Sequence, residues 1–147
     1  MSALENENMA IIRRWFDEVW NQRRLDTVDE LLAPGAVAHD LGGLGASVCG
    51  PAAFRAAAEQ LHQLFGEIHL TVEDIFAVEH KVAVRLSARL KNTGSLGDRP
   101  ATGCEITVPI MCMVHLKNGK LIEGWNFWDI AAALRTAEAP LERTALF

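Results

Sequence analysis

The stretch that decides the fold is Lys117-Asn118-Gly119-Lys120-Leu121-Ile122-Glu123-Gly124-Trp125-Asn126-Phe127-Trp128-Asp129. Asn118-Gly119 is a strong hairpin signal, because both residues adopt the backbone angles that tight β-turns require. It joins two long strands, Thr102 to Leu116 and Lys120 to Asp129. We expect a type I turn followed by a left-handed glycine, a three-residue loop with a bulge that pairs residues of like parity. Ile110 then lies across from Asn126, Cys112 from Gly124 and Val108 from Trp128. The inward set becomes Val84, Leu86, Ala88, Val108, Ile110, Cys112, Val114, Ile122, Asn126 and Trp128. Arg85, Arg89, Met111, Met113, His115, Glu123 and Trp125 face outward.

The period of two extends upstream. Val82, Val84, Leu86, Ala88 and Leu90 alternate with Ala83, Arg85, Ser87, Arg89 and Lys91, giving one dry face and one basic face. Ile68, Leu70 and Val72 alternate with His69, Thr71 and Glu73 in the strand before it. Before Gly66 the period is that of helices. Ile12, Trp15, Phe16, Val19 and Trp20 share one face of a helix from Met9 to Trp20. Asp26-Thr27-Val28-Asp29 starts a short second helix that ends near Ala33-Pro34. Ala36 to Leu41 is a short strand, and Leu41 to Gly50 a glycine-rich loop. Gly50-Pro51 opens a third helix, whose Phe54, Ala57, Ala58, Leu61, Leu64 and Phe65 turn inward. The order gives an α+β domain: a cone-shaped, curved, mixed or antiparallel sheet packed by three N-terminal helices.

The whole chain of 147 residues forms one domain, with a core of about residues 8–134 and a tail of 135–147 that begins as a helical turn. Lys and Arg number 14 against 19 Asp and Glu, a net charge of −5 with no basic stripe, which argues against nucleic acid. No apolar run is long enough to span a bilayer, and no leader is visible, so a cytoplasmic protein off the membrane is expected. There is no tyrosine, which removes every mechanism that needs a phenol. Cys49, Cys104 and Cys112 lack metal or disulfide spacing and are expected as free thiols. His62, His69, His80 and His115 lack ligand spacing too, so no metal and no cofactor are expected. Gly42-Gly43-Leu44-Gly45 is taken as loop, not a nucleotide site.

The helix Met9–Trp20, the loop ending Cys49-Gly50-Pro51, the step Ala101-Thr102-Gly103 and the closing Gly119–Asp129 strand together resemble the SnoaL-like polyketide cyclase family. That family shares the nuclear-transport-factor-2-like fold with ketosteroid isomerase, scytalone dehydratase and limonene epoxide hydrolase. The resemblance covers roughly Asn8 to Leu134. It implies a cone of helices and bent sheet around one deep pocket, a homodimer through the outer sheet face, and a pocket-facing position at Asn126. Fold alone does not transfer chemistry on such a scaffold.

In the ester cyclases and limonene epoxide hydrolases that the chain resembles, the acid–base Asp stands three residues before the Asp that ends the last strand. Those positions here are Asn126 and Asp129, and an amide exchanges no proton near neutral pH. The cyclase pocket histidine corresponds to Cys112. The epoxide hydrolase Arg and second Asp fall on Leu86 and Ala88. The ketosteroid isomerase base corresponds to Asp40, in Val37-Ala38-His39-Asp40-Leu41-Gly42. His39 and Asp40 are therefore the candidate proton-moving groups, with Asn126 holding a substrate oxygen. Trp15, Leu86, Ile110, Cys112 and Trp128 are the candidate substrate-binding residues. The expected activity is cofactor-independent tailoring, cyclase-like or hydroxylase-type, of a hydrophobic polycyclic ketone or ester. The alternatives are a non-catalytic hydrophobic-ligand module and ketosteroid isomerase-like proton transfer by Asp40. Asp129 is expected to cap the turn that follows it.

Overall fold

The computed structural model describes residues 1–41, 47–130, 132, 134 and 135. The glycine loop at 42–46 and the tail from residue 136 onward lie outside the described residues. Helix α1 spans Ala3–Trp15, six residues earlier than the apolar period alone indicates. Its first turns carry few apolar groups, and a capping box starts them: Ser2 Oγ accepts from Glu5 N–H, and Glu5 Oε1 accepts from Ser2 N–H. The helix continues as a π-helical turn, Phe16–Asn21, where Gln22 N–H reaches back five residues to Asp17 O at 2.9 Å. Helix α2 (Asp26–Leu31) and helix α3 (Gly50–Leu64) complete the helical layer, with Pro51 in the first turn of α3 where a missing N–H costs nothing.

Strand β1 runs Leu32–His39, beginning four residues before the expected Ala36. Strands β2 (Val48–Cys49), β3 (Phe65–Val78), β4 (Lys81–Asn92), β5 (Glu105–Lys117) and β6 (Lys120–Phe127) complete a six-stranded sheet ordered β2-β1-β6-β5-β4-β3. All neighbours are antiparallel except β1 and β6, which are parallel, so the sheet is mixed. The architecture is the expected α+β one: helices cover one face of a curved, open sheet. Val82, Val84, Leu86, Ala88 and Leu90 are each at most 3% exposed beneath those helices.

The hairpin corrects the expected turn. Lys117 pairs with Lys120, so the loop is two residues long, with Asn118 at φ 52° and Gly119 at φ 76°. Positive φ at both central positions is the turn whose twist matches that of the flanking strands. The change of parity occurs two residues later. Leu116 pairs with Leu121 but His115 pairs with Glu123, which leaves Ile122 as a bulge. Beyond it Cys112 faces Asn126 and Val114 faces Gly124, two residues out of the expected register. A slip of two keeps every side chain on its own face. Ile122 is the exception: the bulge gives its inward place to Leu121, which is 5% exposed.

Candidate functional site

A cavity lies between the helical layer and the sheet, with about 670 Å³ of space between atoms, its open mouth included. Its helical wall is aromatic. Trp15 is the last residue of α1, Phe16 and Trp20 belong to the π-helical turn, and Phe54 projects from α3. Phe54 ties them together, at 5.1 Å between ring centroids from Trp15 and edge-on at 6.1 Å from Trp20. The sheet wall comes from Ile110, Cys112 and Val114 of β5, Leu121, Gly124 and Asn126 of β6, and Trp128 beyond it. Ile68 and Leu70 of β3 and Val37 and Ala38 of β1 close the sides.

Asn126 is held by a network that also fixes which way its amide points. The backbone carbonyl of His39 can only accept, so the nitrogen must face it, and Nδ2 donates to that oxygen at 2.9 Å. The amide oxygen is thereby turned to Cys112, whose Sγ donates to Oδ1 at 3.3 Å. Burial pushes the Cys112 thiol up to about 12, so the sulfur remains a neutral donor and is no thiolate nucleophile. The second Nδ2 hydrogen has no partner among the described residues. An amide hydrogen on an apolar wall is suited to one task, donating to an acceptor on a bound molecule.

His39 meets Asn126 through its backbone only. Ala38 and Gly124 pair on the inner face of the sheet, so His39 and Trp125, the next pair along, point to the outer face. There His39 Nε2 lies 2.7 Å from Glu123 Oε2, its ring stacks on Trp125 at 5.3 Å and 20°, and Nδ1 lies 3.4 Å from Ser47 Oγ. The imidazole is not among the residues lining the cavity. Asp40 follows the strand at φ 52°, in the left-handed region, and does not line the cavity either, although its neighbour Leu41 does. Of the five expected binding residues, Trp15, Ile110, Cys112 and Trp128 line the cavity. Leu86 does not. It is 1% exposed in the core on β4.

Phe16, Trp20 and Phe54 are added to the site by the structure, as is Glu123, which borders the cavity while its carboxylate engages His39. The aromatic residues sit on the apolar helix faces already visible in the sequence. The signal for core and for cavity wall is the same there, because both exclude water. Asp129 accepts from Ala132 N–H at 2.8 Å, which is the capping role expected of it. Among the described residues no cluster of three His, Cys, Asp or Glu side chains is placed to hold a metal ion. Among the described residues no helix is long and apolar enough to cross a membrane.

The family model for SnoaL-like polyketide cyclases matches residues 10–137. No curated protein matches. Among solved structures, a protein designated a SnoaL-like polyketide cyclase from Jannaschia sp. CCS1 is 25% identical, with a TM-score of 0.84 over 96% of this chain and 98% of that one. AclR of Streptomyces galilaeus, designated a hydroxylase, is 20% identical, with a TM-score of 0.77 over 95% of this chain and 86% of that one. IdmH of Streptomyces antibioticus, designated a polyketide cyclase, is 24% identical, with a TM-score of 0.77 over 90% and 99%. The last two likenesses speak for the fold alone.

Proposed function

The chain belongs to the SnoaL-like polyketide cyclase family, and we propose that it is a cofactor-independent tailoring enzyme for a flat, hydrophobic polycyclic ketone or ester. The observation that carries this reading is Asn126: one oriented amide on an otherwise largely apolar wall, opposite a bank of aromatic rings. A planar ligand lies between the rings and the sheet, and its carbonyl accepts the second Nδ2 hydrogen. Hydrogen bonding of that kind polarises a carbonyl and stabilises negative charge developing on its oxygen. Proton movement is the role we propose for Asp40, which stands outside the cavity lining, beside Leu41 at its edge. The His39 imidazole points to the opposite face. The structures the chain resembles include proteins designated polyketide cyclases and one designated a hydroxylase.

A second reading, binding without turnover, is favoured by one specific observation. Asn126 and Cys112, which face each other on the sheet wall, are an amide and a thiol held protonated, and neither exchanges a proton near neutral pH. Incubation with aromatic polyketide ketones and esters, followed by mass spectrometry of the products, decides between the two. Turnover that is lost in Asp40→Asn and Asn126→Ala supports the enzyme. Ligand retention with no product from any compound, in wild type and variants alike, supports the binding module.

The partner proposed for the outer sheet face is a second copy of the chain, in the cytoplasm. Phe76, Ala83, Met113 and Trp125 form a continuous cross-strand row there, with Met111 paired to Phe127 beside it. Phe76, Met111 and Phe127 are each more than half exposed, a concentration of apolar surface that single-copy proteins rarely leave open. Analytical ultracentrifugation of wild type against Met113→Glu tests this: the variant should sediment as a monomer.

A further inference from the structure

We propose that His39 and Glu123 are positioning residues: from the outer face of the sheet they set the amide of Asn126 inside the cavity. The inference rests on the reading of Asn126 as a carbonyl anchor. His39 is the last residue of β1, and the next residue, Asp40, turns away in the left-handed region. The His39 carbonyl takes the side chain of Asn126 at 2.9 Å. Its place in space is therefore set by whatever holds a strand end, and strand ends are held weakly by the ladder itself.

The imidazole supplies the missing restraint. It bonds Glu123 Oε2 at 2.7 Å, stacks on Trp125, and meets Ser47 Oγ at 3.4 Å, so that contacts to both flanking segments converge on one ring. Glu123 and Trp125 lie on β6, the strand that also carries Asn126. His39 is thus tied to β6 twice, by its ring on the outer face and by its carbonyl on the inner one. The Glu123 carboxylate accepts from Nε2–H, and in a neutral ring Nδ1 is then the nitrogen that accepts from Ser47 Oγ. Releasing the ring leaves the carbonyl free to drift, and Asn126 then loses the acceptor that aims its second hydrogen at the ligand. A displacement of a few tenths of an ångström is enough to weaken a hydrogen bond that depends on both distance and angle.

The test compares two bicyclic molecules of nearly equal shape, 1-tetralone and tetralin, by equilibrium dialysis. Only the ketone offers an acceptor to Asn126, so the ratio of the two affinities isolates the anchor from cavity size and apolar burial. Wild type should prefer the ketone by about tenfold, the effect of one well-aimed hydrogen bond, and Asn126→Ala should abolish that preference. His39→Ala should lower the ratio to within about twofold of unity while tetralin binding stays within about threefold of wild type, and Glu123→Ala should lower the ratio likewise. Glu123→Gln keeps an acceptor for Nε2–H and should restore the ratio, which a general loss of packing would not do. If wild type and Asn126→Ala show the same ratio, the anchor itself fails and the positioning role fails with it. If wild type prefers the ketone and His39→Ala and Glu123→Ala retain that preference, the anchor stands and the positioning role is overturned.

Discussion

Cys112 and Asn126 face each other across β5 and β6, and the thiol donates to the amide oxygen at 3.3 Å. This thiol behaves as a small polar filler and not as a reactive group, because burial favours its neutral form up to about 12. Cys49 is exposed at the edge of the sheet and is free to react. In the folded protein at pH 8, iodoacetamide should label Cys49 and leave Cys112 untouched, as read by peptide mass spectrometry. Cys112→Ser keeps a donor and should cost little. Cys112→Ala removes it from the amide oxygen and should cost about 1 kcal/mol in chemical denaturation, the usual worth of one such bond. Labelling of Cys112 at the rate of Cys49 would refute this account.

Asn126→Asp installs the acid that the family resemblance implies for this position. A carboxylate there faces the His39 carbonyl, with which it shares no hydrogen, so only the protonated acid can donate as the amide does. The half-buried site and that carbonyl both favour the neutral acid, and the folded-state pKa rises above its unfolded value. The folded protein then holds more protons than the unfolded one between those two values. The stability of the variant should therefore fall as pH rises from the ordinary carboxylate range through the raised folded value, and level off above it. Urea denaturation from pH 4 to 8 should show that slope in the variant and not in wild type.

Gly124 lines the cavity opposite Val114, and its backbone needs no unusual φ. A Cβ built there meets Met113 O at 3.8 Å and Val114 Cγ2 at 4.0 Å, which is ordinary contact. Gly124→Ala should therefore fold at wild-type stability or better, since alanine loses less backbone entropy on folding. Gly124→Leu places a branched side chain into the ligand space. It should reduce tetralone affinity by about tenfold or more while the fold survives, an order expected when an apolar group displaces an apolar ligand. Equal affinities for wild type and the leucine variant would mean that the ligand binds elsewhere.

What was legible from the sequence follows the strength of each local signal. The alternation of Val82 through Leu90 decides the faces of β4, whereas the faces of β5 and β6 come out as expected because the bulge at Ile122 offsets the shorter turn. The bulge at Ile122 has no such signature, because an apolar side chain suits either side of a twisted strand. Asn126 falls on the inner face both by the expected hairpin register and by family resemblance. That His39 would meet it by its carbonyl, with the ring on the other face, depends on the parallel pairing of β1 with β6. Two strands so far apart in the chain carry no local mark of being neighbours. The aromatic wall was hidden in plain sight, since Trp15, Phe16 and Trp20 would look the same in a filled core.

Asn21 ends the π-helical turn and binds both backbone groups of one residue on the edge strand β3. Its Nδ2 donates to Leu70 O at 3.0 Å, and its Oδ1 accepts from Leu70 N–H at 2.7 Å. The amide thus acts as one more strand residue, covering an edge that is otherwise open to pairing with another chain. Asn21→Ala should lose both bonds and cost about 1–3 kcal/mol by chemical denaturation. Asn21→Asp retains the acceptor but sets a charge against the Leu70 carbonyl, and it should be destabilised as well. Because Leu70 lines the cavity, both variants should also weaken ligand binding. A stability change below about 0.5 kcal/mol in Asn21→Ala, the ordinary range for surface substitutions, would show that water replaces the clamp.

His62, on α3, packs its ring against Trp20 at 5.5 Å, and Nε2 lies 3.4 Å from the Trp20 carbonyl. Desolvation against this apolar wall is the main cause that holds its pKa below the ordinary 6.5, with the positive charge of Arg23 adding to it and the Trp20 carbonyl opposing. A histidine whose folded value is depressed binds fewer protons folded than unfolded, so stability rises with pH across the interval. This contribution is fully present above the unfolded value and is lost as pH falls through the folded one. Wild type should therefore lose stability on acidification below 6.5, and His62→Gln should lose less over the same range. His115 has the same sign, with burial first among its causes and Lys81 and His80 next, so the double variant should flatten the profile further. Since Trp20 forms part of the cavity wall, a bound ligand should deepen the desolvation of His62. NMR titration of the His62 ring should then show a lower midpoint with 1-tetralone present than without it; an unchanged midpoint in a protein that binds the ketone would separate this histidine from the cavity.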